Sequence, residues 1–136
     1  MSIVYLSLGS NLGNRQSNLE SAMELIGRMV GKVVKASDII ETEPWGFDSG
    51  NPFLNMAAKV ETELSPLDVL HTTQNIEKLL GRKEKTTDRQ YHDRIIDIDI
   101  LMYDSLVIDT PELTIPHPLM RQRPFVMEPL KQIADN

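Results

Sequence analysis

Residues 94–103 read Arg94-Ile95-Ile96-Asp97-Ile98-Asp99-Ile100-Leu101-Met102-Tyr103, and apolar and acidic side chains alternate there with period two. Ile96, Ile98, Ile100 and Met102 point one way, Asp97 and Asp99 the other. A strand produces that alternation, because successive side chains leave opposite faces of a sheet. The two carboxylates then project side by side, with roughly 7 Å between their Cα atoms at strand rise. Like charges that close repel, so a cation is expected over them. A hard divalent ion with oxygen ligands suits the pair, Mg²⁺ above all, since it takes one or two carboxylates plus substrate phosphates. An amphipathic edge strand with an acidic polar face has the same pattern. The surroundings decide between the two.

The chain has 136 residues, 40% of them hydrophobic and 25% charged, which suits one globular domain spanning 1–136 with a genuine core. It contains no Cys, so disulfides and thiolate metal sites are excluded. The opening MSIVYLSLGSN lacks the basic start and apolar run of a signal peptide, and no stretch has transmembrane length. A cytoplasmic location with no membrane association is the expectation. The net charge of −6 argues against non-specific nucleic-acid binding. Bases nevertheless concentrate at Arg82, Lys83, Lys85, Arg89 and Arg94, and again at Arg121 and Arg123, an arrangement suited to an anion. Glu84, Asp88 and Asp93 interrupt the first cluster, which also fits a solvated loop of mixed charge.

Periodicity outlines the elements. Ile3 to Leu8 reads as a strand ending in a Gly9-Ser10-Asn11 turn. From Asn14, Leu19, Ala22, Met23, Ile26 and Met29 recur at helical spacing, and Gly31 is placed to end that helix. Val33 to Ile40 reads as a second strand, Phe53 to Val60 as a third, with the turn-rich residues 43–52 between them. Ser65-Pro66 opens a second helix with a capping Ser and Pro in its first turn. The apolar stripe of that helix is Leu67, Leu70, Ile76, Leu79 and Leu80. Residues 82 to 93 have many charges and no periodicity, so an exposed, mobile loop is expected. The acidic strand follows, then a turn at 103–105, a short strand from Leu106 to Ile108, and a last helix from about Pro124 to Ala134.

The order β-α-β-β-α-β, acidic strand last, predicts an α+β fold. It would be a ferredoxin-like antiparallel sheet with helices on one face and long active-site loops on the other. Asp97 and Asp99 would lie on the open face. Trp45, in a Gly/Pro-rich turn segment, could with Phe47, Phe53, Tyr91 and Phe125 wall in a flat heterocycle. Core packing is the alternative for Phe53 and Phe125. Asn55 shares a strand face with Phe53 and offers the donors and acceptor that a pterin or purine edge requires. His117 between two prolines could meet phosphate, act as an acid, or serve the fold alone. Gly9-Ser10-Asn11 would let a ligand approach the backbone closely.

Three blocks, LSLGSNLGNR at 6–15, FLNMAAKVET at 53–62 and DRIIDIDILMYD at 93–104, resemble the signatures of the 6-hydroxymethyl-7,8-dihydropterin pyrophosphokinases. So do LGR at 80–82 and LTIPHPLMRQRPFVMEPL at 113–130. The resemblance spans the chain in order. It implies transfer of pyrophosphate from the co-substrate ATP to the pterin's hydroxymethyl group, releasing AMP, in folate biosynthesis. It also implies a ferredoxin-like fold, two Mg²⁺ ions and three flexible loops.

By the same resemblance Asp97 and Asp99 match the pair that holds both magnesium ions. Thr42, Trp45, Phe53, Asn55 and Phe125 fall in the pterin pocket, with Tyr91 closing over it. Gln74, Glu77, Ile100, Thr114, His117 and Arg123 fall where the family holds ATP, with Lys85 and Arg94 from the loop. Arg82 and Arg94 match catalytic arginines. Two departures stand out: Arg89-Gln90-Tyr91-His92-Asp93-Arg94 replaces a common Arg-Trp-Gly-Pro-Arg, and Glu112 replaces an ATP-contacting Arg of some relatives. Transfer of this kind needs positioning and charge neutralisation more than covalent chemistry. A nucleotidyltransferase, releasing pyrophosphate rather than AMP, and a binding module without turnover are the rival readings. The aromatic/Asn55 pocket disfavours the first and the paired aspartates the second. Nothing in the sequence demands a macromolecular partner, so a monomer acting on small molecules is expected.

Overall fold

The computed structural model describes residues 1–42, 52–81 and 95–134. In chain order these form β1 (Ser2–Ser10), α1 (Arg15–Met29), β2 (Lys32–Ala36), β3 (Ile40–Thr42), β4 (Phe53–Thr62), α2 (Pro66–Leu79), β5 (Asp97–Tyr103), β6 (Ile108–Asp109), β7 (Thr114–Ile115), a 3₁₀ turn (Met120–Gln122) and α3 (Pro124–Ile133). The architecture is α+β. Strands β2, β4, β1 and β5 lie in that order in one antiparallel sheet, with β3 also paired to β4, and β6 and β7 form a separate small hairpin.

Local chemistry sets the helix ends. The Asn14 side chain accepts the Ser17 N–H at 3.0 Å at the start of α1, and Ser65 Oγ accepts the Asp68 N–H at 3.1 Å ahead of Pro66 in α2. Gly31 follows α1 because a Cβ there would lie 2.0 Å from the Glu61 carbonyl oxygen. Only a residue without one lets the chain turn that close to β4. Leu19, Ala22 and Ile26 of α1 and Val69 and Ile76 of α2 pack on Val4, Leu6, Leu8, Met56, Ala58, Val60, Ile98 and Ile100 of the sheet. The stripe on α2 differs from the one expected. Leu67 and Leu79 are 40% and 66% exposed, while Val69, Thr73, Ile76 and Glu77 face inward.

Helices cover both faces of the sheet, not one. Val126, Leu130 and Ile133 of α3 pack with Met120 on Ala57 and Leu101, beside Tyr5 and Met102, on the face opposite α1 and α2. A β-bulge in the pairing of β1 with β5 accounts for part of this. Tyr5 pairs with Met102 and Leu6 with Ile100, so Leu101 is the extra residue. Period two is broken there, and Met102 joins the α3 face instead of following Ile98 and Ile100 inward, while Tyr103 turns back to the other core.

Three boundaries also moved. β1 runs through Gly9 to Ser10, pairing throughout, so the expected turn at Gly9 is strand. The expected strand from Val33 to Ile40 is two strands, because Ser37 Oγ accepts the Ala57 N–H at 2.8 Å where a backbone carbonyl would otherwise serve. The short strand expected at Leu106–Ile108 is Ile108–Asp109, and Val107 is 82% exposed.

Candidate active site

One end of the α3 face is apolar and covered by that helix; the other end is polar. Cross-strand register lines its residues up in rows. Lys59, Tyr5 and Met102 form the row beneath α3, Ala57, Ser7 and Asp99 the next, and Asn55, Gly9 and Asp97 the one beyond. Phe53 follows Asn55 on the same face. Asp97 and Asp99 are half-exposed, whereas Ile98 and Ile100 between and after them are buried in the opposite core. The alternation read from the sequence therefore holds where the aspartates lie.

Gly9 leaves its row without a central side chain, so Asn55 and Asp97 stand about two strand spacings, ~10 Å, apart across it, with the Asn55 amide oxygen and the Phe53 ring lying over Gly9. A Cβ at Gly9 would sit 2.9 Å from Asn55 Oδ1 and 3.3 Å from the Phe53 ring. Asn55 is buried, and its Nδ2 donates to Thr42 Oγ1 at 2.6 Å. The amide is thus held with its nitrogen toward β3 and its oxygen over Gly9. Thr42, Phe53 and Asn55, three of the expected pocket residues, do come together.

The strand that carries the aspartates is held from α2. Glu77 Oε2 accepts the Ile98 N–H at 2.8 Å, and both residues are buried. Hydrogen bonding of this sort offsets the cost of burying a carboxylate. It also shows that the Ile98 N–H turns away from β1. Two residues on, the backbone of Ile100 turns the same way, while its side chain lies in the core. Any ligand contact from Ile100 is therefore a backbone contact. Gln74 lies one turn before Glu77 on α2 and is half-buried, as is Thr114 on β7.

Further along β5, the His117 N–H donates to the Leu101 carbonyl at 2.9 Å. Burial pulls the His117 imidazole below its usual value, and the negative charge of Asp97 opposes that shift. His117 Nδ1 accepts the Leu119 N–H at 3.3 Å, so the neutral ring carries its proton on Nε2. Arg123 is buried at the N-cap of α3, its guanidinium 5.8 Å from the centre of the Phe125 ring. Burial pulls its value down as well.

The family model for 7,8-dihydro-6-hydroxymethylpterin-pyrophosphokinase (HPPK) matches residues 5–135. The chain belongs to the HPPK family. It is an enzyme, a pyrophosphokinase of folate synthesis. It is 52% identical over 135 residues to the 2-amino-4-hydroxy-6-hydroxymethyldihydropteridine pyrophosphokinase of Porphyromonas gingivalis, covering 98% of this chain and 92% of that one. The Bacillus subtilis protein of the same name is 41% identical over 133 residues, covering 97% of this chain and 78% of its own. Among solved structures, an HPPK-DHPS in complex with substrates superposes with a TM-score of 0.75 at 18% identity, over 97% of this chain. Wild-type Plasmodium falciparum HPPK-DHPS with pteroate gives 0.77 at 18%, over 96%. This chain spans 40% and 38% of those two chains, so they speak for the HPPK fold alone.

Of the residues singled out from the sequence, Trp45, Phe47, Arg82, Lys85, Tyr91 and Arg94 lie outside the described residues, as does the loop at 82–93. For two residues the sequence reading is incomplete. Gly9 reads there as part of a turn that lets a ligand approach the backbone, not as a strand residue between Asn55 and Asp97, and Arg15 carries no reading of its own. Only the register of β1 with both its neighbours gives the first away. The second is visible only in three dimensions, because its partners are Glu41 and Pro52.

Proposed function

We propose that this HPPK chain, a single domain over 1–136, transfers pyrophosphate from ATP to 6-hydroxymethyl-7,8-dihydropterin at the polar end of the α3 face. The observation that carries this reading is the row Asn55–Gly9–Asp97. It sets a heterocycle-reading amide and the acidic pair on one surface at ~10 Å, the reach of a pterin whose side arm points at a phosphate. The strand order β2-β4-β1-β5 supports a ferredoxin-like sheet. The long active-site loops expected from the sequence lie outside the described residues.

Asn55 would pair with the pyrimidinone edge of the pterin, seconded by Thr42, while Phe53 and Phe125, with Trp45 and Tyr91, supply ring faces. Gln74, Glu77, Thr114, His117 and Arg123, the loop residue Lys85 and the Ile100 backbone would hold the nucleotide. The donor set at Asp97 and Asp99 fits magnesium: two half-exposed carboxylates on one face. Among the described residues no group of three or more His, Asp or Glu gathers into a full protein cage. Asp97 and Asp99 would hold two such ions, which when bound supply charge neutralisation on the phosphates.

The pterin hydroxymethyl oxygen attacks the β-phosphorus in line. A new P–O bond forms as that oxygen gives its proton to water, the bond from the β-phosphorus to the α,β-bridging oxygen breaks, and AMP departs with the bridging oxygen. Arg82 and Arg94 would balance the charge growing on it. Asn55 and Phe53 would orient the pterin so that its oxygen faces the phosphate, which is the larger part of what such transfer requires. A cytoplasmic monomer is the working form we propose; no described helix is long and apolar enough to cross a membrane.

Calorimetric titration tests this assignment of halves. Pterin should bind both wild type and Asp97→Ala, while a non-hydrolysable ATP analogue with Mg²⁺ should bind only wild type well. Equal loss of both ligands in Asp97→Ala would contradict the two-part site.

A further inference from the structure

One guanidinium nitrogen joins three pieces of chain. Arg15, the first residue of α1, donates from Nη1 to the Pro52 carbonyl at 2.9 Å. The same nitrogen lies 3.1 Å from Glu41 Oε2. Glu41 belongs to β3, and Pro52 immediately precedes β4. These two runs pair with each other through only three positions, Ile40 with Asn55, Glu41 with Leu54 and Thr42 with Phe53. A ladder that short has little stability of its own. Arg15 ties its outer end to the start of α1.

The two anchored residues are chain neighbours of Thr42 and Phe53. Thr42 Oγ1 is the acceptor that fixes the Asn55 amide at 2.6 Å. A shift of β3 relative to β4 would move that acceptor and let the amide turn. As an ion pair the contact is worth little, since the Arg15 and Glu41 side chains are 31% and 57% exposed. Its consequence is geometric. Nη1 carries two N–H bonds, which serve the Pro52 carbonyl and the Glu41 carboxylate together, and an ammonium of matching reach can serve the same two acceptors.

We propose that Arg15 is a positioning residue for pterin recognition, acting through Glu41 and Pro52 on Thr42 and Asn55. The proposal rests on the pterin reading of Asn55. It assigns Arg15 no contact with substrate and no role toward ATP.

The test compares Arg15→Ala, Arg15→Lys, Glu41→Ala and Asn55→Ala with wild type by steady-state kinetics in each substrate, with thermal melting alongside. Arg15→Ala should raise the KM for the pterin by about tenfold, with the KM for ATP changed less than about twofold. Glu41→Ala, which leaves α1 untouched, should give a smaller rise in the same KM. Arg15→Lys should recover part of the loss. An unchanged pterin KM in both Arg15→Ala and Glu41→Ala overturns the proposal, and so does a parallel rise in both KM values with a lowered Tm. The Asn55→Ala arm separates the two ideas. If it raises the pterin KM while Arg15→Ala does not, the positioning role fails and the pocket stands. If neither variant does, both fall.

Discussion

Asn55 and Asp97 stand in one row across the sheet, each the direct cross-strand neighbour of Gly9. The absent side chain leaves room for the Asn55 amide oxygen and the Phe53 ring over Gly9, and on the function we propose an amide for the heterocycle and a carboxylate for the phosphates share one surface. α3 reinforces the division by covering the apolar half of the same face with Val126, Leu130 and Ile133. What remains is polar, with half-exposed Asp97 and Asp99 on β5 beside buried Ser7 on β1 and buried Asn55 on β4.

Replacing either aspartate should separate activity from folding. Asp97→Ala or Asp99→Ala should lower kcat by several orders of magnitude with Tm unchanged or slightly raised, because each removal relieves like-charge repulsion on a half-exposed face. Steady-state assays beside thermal melts check this. Near-normal turnover in either variant would remove the metal assignment.

Asn55→Ala should weaken the pterin by on the order of 1–3 kcal/mol and leave ATP largely unaffected, since it deletes hydrogen bonds to a desolvated ring edge. Titrating each ligand separately distinguishes this from a structural role, in which the two affinities would drop together.

Gly9→Ala offers an independent probe of the same amide. Its Cβ would lie 2.9 Å from Asn55 Oδ1, and Asn55 is buried and bonded to Thr42, so the amide has to give way. Overpacking of this kind costs about 1–3 kcal/mol of stability. The pterin KM should rise while the ATP KM holds. A variant with wild-type pterin KM would show that the amide has room to spare.

Much of this arrangement was legible in the sequence. Asp97, Ile98, Asp99 and Ile100 declared their faces by alternation, periodicity from Asn14 outlined α1, and Ser65 and Pro66 declared the start of α2 by capping chemistry. Three features were not. The bulge at Leu101 depends on the register of β1 with β5, and it sends Met102 to the face opposite the one period two assigns. Ser37 breaks a strand by offering its hydroxyl to Ala57, twenty residues on. Glu77 sits buried on α2 because its acceptor meets the edge N–H of Ile98, a pairing between elements that no local pattern announces.

His117 carries a pH prediction. Burial holds its folded value below the usual ~6.5. As pH falls through ~6.5 the unfolded chain takes up a proton that the folded protein resists, so stability present above that pH is lost below it. Urea unfolding in EDTA at neutral and mildly acidic pH should show wild type losing more stability than His117→Gln. Equal losses would mean that the ring titrates alike in both states.

The identity of the nucleotide product tests the central claim most directly. Wild-type protein, ATP, Mg²⁺ and 6-hydroxymethyl-7,8-dihydropterin should yield AMP and pterin diphosphate in equal amounts, followed by phosphorus NMR. ADP, free pyrophosphate with a nucleotidylated pterin, or no consumption of ATP would contradict it.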